Sequence, residues 1–448
     1  MQKFLKISNS LYKYLITAIL ISVPLYPKFP LFRIPGTYVS IRLEDFLIAI
    51  TLVLFSIPLI KNFRKEFFKN ILSNKILRSI LIFLGIGLIS LISGLYLTKT
   101  VVSSIGFLHL LRRIEYLSMF FVGFLYLKSN EDKNFSEYLI KILLLVNLLV
   151  FLYGFGQKYF SLPVIITQNE EYSKGIALLW TPGSHINSTF AGHYDLASYL
   201  VLTIPIFIAC FFTLKNKFTK IILAISIGFG FWLFSSAVSR ISIVSFVLAS
   251  VITLYLLKKY KEILVIFLIS ALIFGFSADL RVRFKRLIDV TLNKISTVQS
   301  IVIAADTEEV QVFEDRSTSI RFNVEWPRAV RAFTKNPLLG TGYSSINLAT
   351  DNDYLRLLGE VGLLGFFAFG LIFIHIFKSI KNMWPLERYF EGFDLILITS
   401  LIGSTIGILL TAFFIDIFEA SKFAIIFWLM MGLMIGRLSN TKNKIKLI

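Results

Sequence analysis

The chain has 448 residues, of which 56% are hydrophobic and only 16% charged, with a mean hydropathy of +0.75. A soluble domain carries about a quarter charged residues, so this balance excludes a soluble globular protein. The formal net charge of +19 would suit a nucleic-acid binder, but the lysines and arginines fall mostly in short segments between apolar runs, which excludes that partner.

Twelve runs can each cross a hydrocarbon core roughly 30 Å thick. They lie at about 11–27, 44–60, 77–97, 105–127, 137–156, 192–214, 219–235, 240–257, 262–279, 353–377, 394–414 and 417–436. Lys3, Lys6 and Lys13 precede the first, as in a signal peptide, but no small-residue cleavage site follows, so it reads as a retained helix. With the N-terminus inside, the segments holding Lys61 to Arg78, Lys215 to Lys220, Lys258 to Lys261, Lys378 to Arg388 and Lys442 to Lys446 are all cytoplasmic. One missed span would scatter them over both faces. The outer connections then include 28–43, 157–191 and 280–352. The expected fold class is therefore all-α: a polytopic integral membrane protein with one membrane domain over 1–448, about twelve transmembrane helices, and a large extracytoplasmic loop at 280–352 between spans nine and ten. Cys210 is the single cysteine and lies inside an apolar run, which leaves no disulfide.

Polar residues in the spans come next. Arg112, Arg113 and Glu115 interrupt the fourth, where an Arg–Glu pair would stabilise the bundle, with a lipid-phosphate contact as the alternative. His193 and Asp195 open the sixth, with His185 nearby, but no i, i+4 histidine pair supports a metal site. Arg240 begins the eighth at an outer boundary, as either a snorkelling residue or an anion site, since guanidinium binds phosphate bidentately.

The long loop has a grammar of its own. Residues 279–303 alternate charge and apolar side chains, as in a helix lying on the membrane surface, and 306–315 is an acidic linker. Residues 317–333 predict a second helix capped by Thr318 or Ser319, with Arg321, Val324 and Arg328 on one face and Arg316, Glu325, Trp326 and Arg331 around them. Pro337, Gly340 and Gly342 break the chain before Asp351, which stands just ahead of a span. The loop is too small to be an independent enzyme domain and is expected to cover an active-site cavity formed by the helices. The sequence has no Walker loop, dinucleotide glycine pattern or G-x-S-x-G elbow.

Four stretches carry a resemblance. They are Ser239-Arg240 at the start of a span, Arg321 followed five residues on by Trp326, Asn336-Pro-Leu-Leu-Gly-Thr-Gly342, and Asp351-Asn-Asp-Tyr-Leu-Arg-Leu-Leu-Gly-Glu-Val-Gly-Leu-Leu-Gly365. With the loop between spans nine and ten, the chain resembles the O-antigen ligase and O-antigen polymerase superfamily of bacterial envelope glycosyltransferases over roughly residues 190–436. The resemblance implies transfer of an undecaprenyl-diphosphate-linked glycan to a hydroxyl of a glycan, lipid or protein acceptor. It places the reaction on the outer side of the bacterial cytoplasmic membrane, among membrane lipids, with no metal, nucleotide sugar or other cofactor. Arginines matching Arg240 and Arg321 contact the carrier diphosphate in that family. Its ligases usually carry histidine where this chain has Asp351, ahead of the shared Asn352, and that departure favours a polymerase or a protein-linked or divergent ligase.

The expected catalytic set is Asp351, Arg240 and Arg321, and the expected substrate-binding set is Arg316, Asn352, Asp353, Glu325 and His193. Fixed positive charge stabilises the leaving diphosphate. Asp351 orients or deprotonates the acceptor, with Asp353 or Glu325 as replacements and positioning alone as a further option. Twelve helices also suit a lipid-linked oligosaccharide flippase or secondary transporter, although the sequence has no visible repeat and its intramembrane charge sits at the outer edge. The peptidoglycan-polymerising glycosyltransferases of shape and division are the alternative among enzymes.

Overall fold

The computed structural model describes residues 2–27, 30–35, 37, 40–61, 74–130, 132–165, 177–182, 184–276, 319–346 and 349–445. The expected surface helix at 279–303, the acidic linker and Arg316 lie outside the described residues. What is described is almost wholly helical, with two minimal hairpins pairing β1 (Phe32–Arg33) with β2 (Ser40–Ile41) and β3 (Val164–Ile165) with β4 (Ala177–Leu178).

The helices are α1 (Gln2–Leu25), α2 (Leu43–Lys61), α3 (Lys75–Tyr96), α4 (Ser103–Ser129), α5 (Phe135–Tyr159), α6 (His193–Thr213), α7 (Lys217–Ala237), α8 (Arg240–Leu256) and α9 (Tyr260–Phe276). Beyond residue 319 come α10 (Trp326–Lys335), α11 (Asp353–Lys381), α12 (Gly392–Thr411) and α13 (Ser421–Ile445). Each expected apolar run is helical over most of its length. Among the described residues, 7 helices are long and apolar enough to cross a membrane: α3, α5, α6, α7, α11, α12 and α13. Helix α4 misses that criterion because Arg112, Arg113 and Glu115 interrupt its apolar character.

Helix α13 is the buried axis, with every side chain from Phe423 to Ile435 inside the bundle. It packs along α4, where Phe120 meets Trp428 edge to face at 6.4 Å. The intramembrane arginine pair takes a different partner from the neighbouring Glu115. Arg113 pairs with Glu419 and donates to the Phe418 carbonyl at 2.8 Å, while Arg112 donates to the Ser40 carbonyl at 3.3 Å. The bundle is stabilised across elements, from α4 to the turn before α13.

Three helices begin at one end of the bundle. Ser404 of α12 donates to the Leu202 carbonyl of α6, Gly407 of α12 lies against Ser245 of α8, and the Asp353 amide donates to the Ala412 carbonyl past the end of α12. The starts of α6, α8 and α11, and hence His193, Arg240 and Asp353, therefore share the end where α12 finishes. We call it the mouth.

Helix α11 is broken near the mouth. Gly362 has φ +69° and ψ −172°, so the helix stops and restarts around it. The Asn336 to Gly342 segment fills the break: the Thr341 and Gly342 amides donate to the Gly359 and Glu360 carbonyls, both at 2.9 Å, and the Leu363 amide donates to the Pro337 carbonyl at 2.8 Å. Ser90 of α3 adds a bond to the Glu360 carbonyl at 2.6 Å. Irregular backbone at membrane depth persists only when its polar groups are satisfied in this way. A Cβ at Gly340 would lie 2.4 Å from the Glu360 carbonyl carbon, and one at Gly362 would lie 2.3 Å from the Leu338 oxygen. The two glycine-bearing stretches are thus a matched pair, each shaped for the backbone of the other.

Candidate active site

The mouth is built from the turn ahead of α11. The amides of Thr350 and Asn352 both donate to the Asp416 carboxylate, at 2.7 and 3.0 Å, which pins the backbone on either side of Asp351. Asp351 itself adopts φ +49°, a left-handed conformation that aspartate tolerates better than most residues. Asn352 caps α11, its Oδ1 accepting from the Leu355 amide at 2.9 Å. The Asp353 side chain turns inward and is 3% exposed, and its Oδ2 accepts from the amides of Ile417 and Phe418 at 2.8 and 3.1 Å. Asn352 and Asp353 therefore commit those side-chain oxygens to the scaffold.

Asp351 faces Arg321. The guanidinium donates from Nε and Nη2 to the same carboxylate oxygen at 3.0 and 2.8 Å, and from Nη2 to the Tyr194 hydroxyl on the first turn of α6 at 3.2 Å. Arg321 is held along its Nε–Nη2 edge by two partners, with its side chain 11% exposed. Burial pushes the Asp351 carboxyl above its usual range and outweighs the pull of Arg321, with Asp416 adding to the rise.

Arg321 does not sit on an ordinary helix. Residues Arg321–Glu325 form a π turn that runs into α10. The wider turn breaks the expected single face: Arg321 is buried, whereas Val324 is 45% exposed. Glu325 closes the π turn. Its Oε2 is buried and has no hydrogen-bond partner among the described residues. Burial first, then the neighbouring Asp351 charge, raises its carboxyl to about 7. A half-buried carboxylate poised near neutrality, beside a fixed guanidinium, can both accept and return a proton.

An apolar groove of about 670 Å³ opens beside this cluster, walled by Phe322, Trp326 and Val330 from the π turn and α10, and by Leu355, Phe413 and Phe414 from the bundle. Of the other expected site residues, His193 stacks between His185 and Tyr194, with ring centroids at 4.3 and 4.0 Å. It adjoins the Arg321 partner Tyr194 at the mouth. Arg240 heads α8 at the same end, following Val238 in a left-handed turn at φ +53° and Ser239, whose hydroxyl meets that of Ser242 at 2.7 Å. Tyr194 had no part in the sequence reading. Its only signal is adjacency to His193, because the contact to Arg321 spans 127 residues.

Residues 194–370 match the family model described as O-antigen ligase. Over that stretch the chain is similar to the O-antigen ligase family. The matched stretch holds Tyr194, Arg240, Arg321, Glu325 and Asp351 and ends inside α11, just past the Gly362 break; His193 precedes it by one residue. No curated protein matches the chain. The match over 194–370 and the apolar helices together support a multi-pass membrane protein with an O-antigen-ligase-like function in surface-polysaccharide biosynthesis.

Proposed function

We propose that the chain moves a glycan from an undecaprenyl-diphosphate carrier to an acceptor hydroxyl, and that the mouth faces outward from the cytoplasmic membrane. The acceptor oxygen forms a bond to the anomeric carbon while the bond from that carbon to the diphosphate oxygen breaks. The leaving diphosphate keeps the electron pair, and Arg321 and Arg240 stabilise its charge in a site of low dielectric. Glu325 takes the acceptor proton. Asp351 holds the Arg321 fork in place rather than acting as the base. The observation that carries this reading is the placement of an uncommitted Glu325 oxygen beside a guanidinium fixed by Asp351 and Tyr194.

The test supplies purified protein with carrier-linked glycan and acceptor, without a membrane gradient. Release of free lipid diphosphate supports transfer, and its absence favours a flippase or transporter. A ladder of product lengths marks a polymerase, and one product marks a ligase. Orientation is tested separately: a thiol placed at Thr307 should react with an impermeant reagent from outside, and one at Asn216 should not. The reverse pattern would put the mouth inside.

A further inference from the structure

At the end of the bundle opposite the mouth, α3, α11 and α13 enclose a second cavity of about 510 Å³. Its polar lining is Asn74, Lys75, His375, Lys378, Asn382 and Lys442, together with two serines. Three lysines from three separate helices thus converge on one cavity that, among the described residues, has no acidic side chain in its lining. His375 is fixed there by Ser79, with Oγ and Nδ1 2.7 Å apart. The rest of the lining is apolar: Ile76, Met383, Ile435 and Leu438. Basic rim and aliphatic wall together suit a phosphate joined to an acyl chain better than a free ion. This cavity shares no residue with the Arg321 cluster and lies a helix length away along α11, about 40 Å for its 29 residues.

We propose that this cavity binds the phosphodiester headgroup of an anionic phospholipid in the leaflet opposite the mouth, with Lys75, Lys378 and Lys442 as its cationic ligands. Lysines near a membrane surface are attracted to anionic lipid in general, but here the three are gathered from distant sequence positions around a shaped cavity. A lipid held there would tie together the far ends of α3, α11 and α13. It would brace the helix whose opposite end carries Asp351.

The experiment uses the full-length protein in neutral detergent and follows its thermal unfolding midpoint while dioctanoyl phosphatidylglycerol is titrated. The midpoint should rise with this lipid and stay put with dioctanoyl phosphatidylcholine or inorganic phosphate. A variant combining Lys75→Gln, Lys378→Gln and Lys442→Gln should show an apparent Kd raised roughly tenfold or more. The single Lys442→Gln change, at an exposed position, gives a smaller loss of the same kind and serves if the triple variant does not fold. As a control, Lys215→Gln, Lys217→Gln and Lys220→Gln together remove equal charge from another loop and should leave the response intact. Undiminished binding by the lysine variants overturns the proposal. So does an equal response to inorganic phosphate, or an equal loss in the control.

Discussion

Two clusters of charge meet where α11 begins. Beneath the surface, Asp353 accepts two backbone amides, Asp416 accepts two more and lies 3.5 Å from Arg356, and Arg113 is paired with Glu419. At the mouth, Arg321 is fixed by Asp351 and Tyr194, while Glu325 keeps a buried oxygen with no hydrogen bond among the described residues. The residue types are the same, and Asp351 and Asp353 are neighbours but one. Partner type separates Asp353 and Asp416 from Asp351: the first two carboxylates accept backbone amides and build the scaffold, whereas Asp351 meets the Arg321 side chain at the mouth.

Removing the scaffold carboxylate should have the largest effect. Asp353→Ala strands two buried amides and the charges around them, and should cost about 3–5 kcal/mol of stability, read as a lowered unfolding midpoint in detergent. Asp353→Asn keeps an acceptor oxygen and should cost less. An Asp353→Ala protein as stable as wild type but inactive would move Asp353 into the site.

Glu325→Gln should lower transfer by about 10²–10⁴-fold at an unchanged unfolding midpoint. A base works in its ionised form, and burial raises Glu325 to about 7. The wild-type rate should therefore rise as pH increases through 7, and that limb should vanish in the glutamine variant. Retention of the limb would remove Glu325 from proton transfer.

Arg321→Lys keeps the charge but loses the fork that meets Asp351 and Tyr194, and should reduce transfer by about 10²–10³-fold with the protein still folded. Full activity would make the ion pair a structural contact. The smallest effect is expected for Asp351→Asn, about tenfold, the weight of a weakened charged hydrogen bond. This variant should keep the wild-type pH limb. If the limb disappears instead, Asp351 is the base and Glu325 the bystander.

The chain's own pattern determined where its helices run, because apolar length is a local property that the bilayer reads segment by segment. It likewise placed Arg240 and Asp351 at the edges of spans and Arg321 in the outer loop, since charge is costly anywhere deeper. Tertiary structure decided what each of them touches. Helical spacing put Arg321 and Val324 on one face, but a π turn has a different period and separates them. Asp351 and Asp353 read alike until packing turned one toward Arg321 and the other onto the amides of Ile417 and Phe418. Pro337, Gly340 and Gly342 read only as a chain break, yet with the 359–365 stretch they close a break in α11 on each other. Hydrogen-bond partners lie on elements far apart in the chain, so no periodicity within one segment encodes them. Only the folded bundle brings them together.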